Sequence, residues 1–296
     1  MTDQDATEVA RWGTDDARLE YRRGREAVIG SQLAARRRAA AELSAGSVEI
    51  PRDAGFASCE PALFPDVTAV VSRAREVLAT ADLEKSKSKM HKRFMIKLLG
   101  SDAKAVADSS LLRLALHPDV IGVASRYLGL VPILQFVNVY YSSYAGEDLT
   151  KSQLYHCDSD DVEQVKVFIL CDEVTQQTGP LTFLPPPESA VVRKKVGYRY
   201  DMHLPDEQVG DILGGLSAAR QAIGPRGTVA FIDTSRCLHY GSRFADRTLT
   251  RLIVMFQYIT PLAFILPTQY WEGARYRELG NAPGLDDLSR MVLGSA

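Results

Sequence analysis

"VPILQFVNVYYSSY", residues 131–144, is where the chain changes character. Its β-branched and aromatic residues, bounded by Pro132 and the Ser142–Ser143 pair, favour an extended strand over a helix. The same texture returns in "EQVKVFILCDEV" (163–174), "GPLTFLP" (179–185), "GTVAFID" (227–233) and "TRLIVMFQYIT" (250–260), each bounded by Gly, Pro or Asp. Short strands at this spacing, without long helices between the later ones, predict a sandwich or jelly roll rather than a parallel α/β sheet.

Upstream the pattern is helical. Residues 5–45 mix Ala, Arg and Glu with apolar residues at roughly helical spacing (Val28, Ile29, Leu33, Leu43), predicting one or two surface helices that form a solvated flank packed on the core. "PDVTAVVSRAREVLATADL" (65–83) and "SSLLRLALHPDVIGVASRYLGL" (109–130) have the rhythm of amphipathic helices, the second ended by Gly129 and Pro132. The expected class is therefore α+β, an all-β core with a helical layer. A helical flank spans about 1–130, the core about 131–262 and a C-terminal extension 263–296. With no internal repeat and no clear linker, residues 1–296 read as one domain.

A formal net charge of −2 gives no pull toward nucleic acid or an anionic membrane, so a small molecule is the expected partner. The first 28 residues are charged throughout, without the apolar core of a signal peptide, and no stretch approaches the ~18 apolar residues of a membrane helix. A cytoplasmic protein is expected. Cys59, Cys157, Cys171 and Cys237 lack any Cys-x-x-Cys spacing and read as reduced thiols.

Within "SQLYHCDSDD" (152–161), His156 and Asp158 stand two apart. On a strand that spacing turns an imidazole and a carboxylate to one face, where both can grip one metal ion, while Cys157 points the other way. Alone, the pair reads equally as a polar loop. A third donor stands in "GTVAFIDTSRCLHYGSR" (227–243), where His239 follows a strand of small and apolar residues. Two histidines and one carboxylate make the facial triad of non-haem Fe(II) oxygenases, although the same donors accept Mn, Co, Ni or Zn. Arg251 opens the apolar strand "RLIVMFQY" (251–258). A buried guanidinium needs an anion, and its fork matches a carboxylate, which makes Arg251 the candidate clamp for an acidic cosubstrate.

The order "YHCDSDD", "VKVFILCDEVTQQTGPLTFLPPPES", "FIDTSRCLHYGS" and "RLIVMFQY", within roughly residues 90–260, resembles the phytanoyl-CoA dioxygenase family of Fe(II)/2-oxoglutarate-dependent oxygenases. The resemblance implies a double-stranded β-helix, the cupin-like jelly roll, with His156, Asp158 and His239 on iron and Arg251 on the distal carboxylate of 2-oxoglutarate. It implies O2-dependent hydroxylation of a small metabolite or natural-product intermediate, with release of succinate and CO2. The chain departs from the family at Pro186-Pro187-Glu188, where Pro-Gly-Ser is usual, in what reads as a connecting turn. The spacing from His239 to Arg251 is slightly long, which leaves Arg247 as the alternative clamp. Asn138 and Tyr140, on one face of their strand, are further cosubstrate candidates, with Lys97 and Thr182 behind them.

Other stretches carry less. "EKSKSKMHKRFMIK" (84–97) holds six Lys or Arg and reads as a solvated loop leading into a strand, with holding an acidic group of the substrate as its functional alternative. His91, His117 and His203 read as loop or helix-end residues, His203 with a place at the substrate mouth as its alternative. The aromatics after Pro267 are placed either over the barrel mouth or at a subunit interface. Asp158 argues against halogenation, which needs a small residue in the place of the carboxylate. Two rival classes remain: a cupin-like metal-dependent isomerase or hydrolase that does not use 2-oxoglutarate, and a binding protein of the same fold without iron. The first would leave Arg251 without an anion.

Overall fold

The computed structural model describes residues 3–44, 48–84, 94–100, 103–107, 109–144, 146, 148–266 and 274–295. Its strands are β1 (Phe56–Cys59), β2 (Met95–Lys97), β3 (Ile133–Ser143), β4 (Gln164–Leu170), β5 (Leu181–Phe183), β6 (Arg220–Ala222), β7 (Val229–Ile232), β8 (His239–Tyr240) and β9 (Thr250–Ile259). They form a six-stranded sheet in the order β1-β7-β4-β9-β3-β2 and a three-stranded sheet in the order β6-β5-β8, antiparallel throughout. The fold is the jelly roll that the strand pattern predicts.

The large sheet is buried on both faces, which explains why its central strands are nearly continuous apolar runs instead of alternating ones. On β9, Leu252, Val254, Phe256 and Tyr258 turn toward the helical layer, whereas Ile253 and Met255 turn inward toward the small sheet. On β4, Val165, Val167 and Ile169 face the helices, and Phe168 and Leu170 face inward. Each such side chain contributes about 1.5–3 kcal/mol on burial. The same alternation sends Lys166, between Val165 and Val167, to the inner face.

The helices are α1 (Asp3–Arg11), α2 (Asp15–Val28), α3 (Gly30–Glu42), α4 (Val67–Thr80), α5 (Ser110–Ala115), α6 (Pro118–Leu128), α7 (Pro186–Val196), α8 (Asp206–Leu213) and α9 (Asp287–Leu293). Helices α4, α5, α6 and α9 cover the outer face of the large sheet. Helix α6 has the N-terminal Pro118 and the left-handed Gly129 that its sequence signals.

Several expectations need correcting. The flank before residue 130 is not only helical: β1 and β2 come from it and close the two edges of the large sheet, β2 being the strand the basic stretch leads into and β1 a run too short to register. Residues 5–45 form parts of three helices where one or two were expected, and they pack on the core closely enough that Arg18 and Arg36 are 1% and 2% exposed. Pro186-Pro187-Glu188 starts helix α7 instead of making a turn, since a proline in the first turn forfeits no helical hydrogen bond. The basic stretch 85–93, with His91, and the aromatics Tyr270 and Trp271 lie outside the described residues. No helix among the described residues is long and apolar enough to cross a membrane.

Candidate metal centre and its cavity

His156 and His239 face each other across a single antiparallel bridge that extends the small sheet beyond β8, with reciprocal N–H···O bonds of 3.0 and 2.9 Å. Directly opposed residues hold their side chains close, and the imidazole centroids are 4.3 Å apart. Each Nδ1 lies 2.9 Å from a carbonyl two residues earlier, Leu154 and Cys237 respectively. A carbonyl only accepts, so Nδ1 carries the proton and Nε2 presents the lone pair a metal requires. Asp158 follows the bridge in irregular chain, not on the strand its spacing suggested; its amide donates to the Thr234 carbonyl at 2.8 Å. Cys157 turns away into a buried cluster with Leu184 and Tyr198, as expected.

One donor atom from each of His156, Asp158 and His239 lies within 4.8 Å of the others. Two imidazole nitrogens and a carboxylate oxygen so close together fit one divalent ion of the borderline kind, Fe(II) included. Asp158 Oδ2 accepts from Lys166 Nζ at 2.6 Å and from Gln164 Nε2 at 3.0 Å. Burial alone would raise this carboxyl, but Lys166 and the two histidines outweigh it and hold it below the ordinary carboxylate range. It is an anion at neutral pH.

The three residues line a cavity whose wall includes Phe168, Leu181, Ile253 and Met255. Arg251 lines the same cavity at 5% exposure. Its Nη1 donates to the Gly179 carbonyl and its Nη2 to Ser242 Oγ at 3.1 Å, while the buried Nε meets no acceptor among the described residues. Burial pulls the guanidinium down to about 10, so it stays cationic at neutral pH. Ser242 holds its hydroxyl there from a left-handed backbone, φ 61°, which costs a non-glycine residue about 1 kcal/mol. Arg247 is exposed, with its guanidinium 5.1 Å above the Tyr144 ring and outside the cavity wall.

The remaining candidates are not in the wall. The Asn138 amide is engaged twice with Leu99, accepting from its N–H at 3.2 Å and donating to its carbonyl at 3.1 Å. Tyr140 packs behind the wall with Phe168, Ile253 and Met255. Thr182 is buried, with its hydroxyl 3.4 Å from Gln221 Nε2. Lys97 is exposed on β2, opposite Tyr140.

Three further supports hold the site, of which only His203 was legible in the sequence, through its alternative place at the substrate mouth. Ser189 Oγ donates to the Leu184 carbonyl and accepts from Leu238 N–H, each at 2.9 Å, tying helix α7 to the residue before His239. His203 stacks on His156, with centroids 5.4 Å apart. The third support comes from α1 and α2. Arg11 holds Ser159 Oγ at 3.1 Å and Asp160 Oδ1 at 2.8 Å; Arg18 holds the carbonyls of Ser159 (3.2 Å) and Asp161 (2.7 Å); Arg22 stands 3.6 Å from Asp161 Oδ1. The acidic run after Asp158 is thus an anchor for N-terminal arginines. The spacing of Arg18, Arg22 and Arg25, four and three residues, puts them on one face of α2 and is the signal that could have found it.

No family model matches the chain, and no curated protein matches it. Among solved structures, EctD from S. alaskensis with bound Fe aligns at 18% identity over 75% of this chain and 76% of that one, with a TM-score of 0.50. The same protein with 2-oxoglutarate and 5-hydroxyectoine aligns at 19% identity over 76% of each chain, also at 0.50. The α-ketoglutarate-dependent epimerase SnoN from nogalamycin biosynthesis, in complex with Fe3+, α-ketoglutarate and nogalamycin RO, aligns at 19% identity over 86% of this chain and 91% of that one, at 0.46. At these identities the EctD likeness is one of fold alone: the chain shares the fold of EctD.

Proposed function

We propose that the protein is a non-haem Fe(II)/2-oxoglutarate-dependent dioxygenase of the phytanoyl-CoA dioxygenase type. One domain over residues 1–296 hydroxylates a small-molecule metabolite or natural-product intermediate in the cytoplasm, releasing succinate and CO2. The observation that carries the reading is Arg251, a buried cation with an unsatisfied Nε in the wall of the cavity that three metal-donor side chains share. A buried charge is costly unless an anion meets it, and a guanidinium fork matches a carboxylate.

His156, Asp158 and His239 would hold Fe(II), and Arg251 with Ser242 would hold the distal carboxylate of 2-oxoglutarate. Bound together with O2, these groups supply the oxidation of an unactivated C–H bond. The chain's own residues bind, orient and keep the site dry. Lys166 and Gln164 fix the orientation of the Asp158 carboxylate and keep it ionised. The Nδ1 bonds to Leu154 and Cys237 fix the imidazole tautomers. Phe168, Leu181, Ile253 and Met255 exclude water from the reacting carbon. EctD supports the reading as a protein of this fold crystallised with Fe and with 2-oxoglutarate.

The test is succinate formation from 2-oxoglutarate by anaerobically iron-loaded protein on exposure to O2, across a panel of metabolites, with and without chelator. Chelator-sensitive succinate stimulated by one metabolite is the expected result. Failure of the iron-loaded protein to bind 2-oxoglutarate overturns the reading and returns the isomerase or hydrolase class.

A further inference from the structure

Charge inside the cavity does not balance once the proposed reading is granted, and the imbalance points to the substrate. The ionic side chains in the wall are Asp158, Lys166 and Arg251, with the histidines neutral as ligands. A divalent metal and Asp158 leave one net positive charge. Arg251 and Lys166 raise it to three, and the two carboxylates of 2-oxoglutarate bring it back to one. Arg251 is matched by the cosubstrate. Lys166 is what remains, and its ammonium has three N–H donors for the one acceptor that the described residues offer, Asp158 Oδ2.

The surroundings of Lys166 deepen the imbalance. Lys166 Nζ lies 5.9 Å from the centroid of the half-buried Phe136 ring, and Lys97 Nζ approaches the same ring at 5.9 Å and Tyr140 at 6.0 Å. Two ammonium groups thus flank one aromatic plate. Arg275, after the 267–273 segment, is near enough that, behind burial, its charge and that of Lys166 push the Lys97 ammonium down. The nearby acid, Asp160, is committed to Arg11 and to Gln257 Nε2 at 2.9 Å. Gathering two ammonium groups against one apolar ring is unfavourable by mutual repulsion unless an anion joins them.

We propose that Lys166, with Lys97 across the Phe136 ring from it, forms a subsite for a carboxylate on the substrate, with Phe136 as the surface against which the substrate's carbon skeleton lies. This rests on the dioxygenase reading and narrows its substrate to a small acid. The distal carboxylate of 2-oxoglutarate goes to Arg251 on β9; the substrate's goes to β4 and β2.

The experiment uses the full chain loaded with Mn(II), which supports binding without turnover. Calorimetry first measures 2-oxoglutarate binding, then titrates benzoate and its neutral isostere benzamide into the protein saturated with 2-oxoglutarate. Benzoate is expected to bind saturably below about 10 mM and at least about tenfold more tightly than benzamide, the discrimination of one charge-assisted contact. Lys166→Met and the exposed Lys97→Met are each expected to weaken benzoate about five- to tenfold, with the 2-oxoglutarate Kd of Lys97→Met within about twofold of wild type. Equal affinity for benzamide, undiminished benzoate binding in both variants, or no saturable benzoate binding up to about 50 mM overturns the subsite. Loss of 2-oxoglutarate binding by the wild type would instead sink the dioxygenase reading; benzoate titration of the Mn(II) protein alone, compared with Lys166→Met, then decides the subsite separately.

Discussion

Replacing Arg18 by Met tests whether the N-terminal helices merely cover the core or set the metal site. The guanidinium is 1% exposed, between the Tyr200 ring at 3.6 Å and the Phe264 ring at 4.4 Å. It donates to the carbonyls of Arg11, Ser159 and Asp161. Met keeps the stem and most of the volume, so little is lost in packing. Three buried carbonyls lose their donor, at about 1–3 kcal/mol each, while removing a charge that burial already disfavours gives part of that back. The net expected loss is about 3 kcal/mol, or about 5–8 °C in Tm for a chain this size. Arg36→Met is the matched control: Arg36 is 2% exposed and bonds the carbonyls of Val131 (3.0 Å), Pro132 (3.3 Å) and Met291 (2.8 Å), none of them in the ligand segment. Both variants should lose similar stability by calorimetry. Arg18→Met alone should also weaken Fe(II) or Co(II), measured well below both melting points. Freeing one residue next to Asp158 costs about 1–2 kcal/mol of ordering, roughly tenfold in metal Kd. Equal metal affinity in the two variants refutes the idea that α2 positions the ligand segment.

The remaining predictions concern the site and the thiols. Arg251→Met should raise the 2-oxoglutarate Kd by about a hundredfold or more, the loss of a buried charge-assisted pair, and leave metal affinity within a few-fold; Arg247→Ala should change neither. His156→Ala and His239→Ala should each abolish stoichiometric metal binding with an unchanged far-ultraviolet circular dichroism spectrum, and wild-type affinity in either would remove that histidine from the ligand set. Ser242→Ala removes the hydroxyl that accepts from Arg251 Nη2 while keeping the left-handed strain, so 2-oxoglutarate should weaken about three- to tenfold with no gain in Tm. Burial pushes the Cys157 and Cys171 thiols up to about 12 and Cys59 up to about 11, which disfavours the thiolate. At pH 8 the two more buried thiols should alkylate roughly a thousandfold more slowly in the native protein than in urea, and rapid native labelling at either would contradict their burial.

What could be read from the chain, and what could not, divides along the range of the interactions involved. The four central strands of the large sheet, β3, β4, β7 and β9, and the helices of residues 65–83 and 109–130 were legible because an apolar run or a helical rhythm is a local property. The metal-donor trio was legible for a different reason: His156, Asp158 and His239 are chemically distinctive, and two of them are neighbours. Arg251 could be ranked above Arg247 because it opens an apolar strand, and it is the one that lines the cavity. Local signal fails where a residue's partner is remote and ordinary. Arg18 meets carbonyls 141 and 143 residues away, and any residue offers a carbonyl, so nothing at positions 159 or 161 advertises the contact. Asn138 shows the converse. On strand register it faces the same way as Tyr140, but its amide is taken up by the Leu99 backbone, a stretch with no side-chain chemistry to betray it. Lys166 lies between these cases. Alternation along β4 assigns it to the inner face, yet within "VKVFILC" a single lysine reads as a tolerated polar residue until Asp158 Oδ2 is found 2.6 Å from its ammonium. A lysine kept on the floor of an apolar cavity forgoes the burial energy that a Val or Leu would contribute there, so its retention implies charge to be met. Asp158 meets part of it in the free protein. A substrate carboxylate would meet the rest.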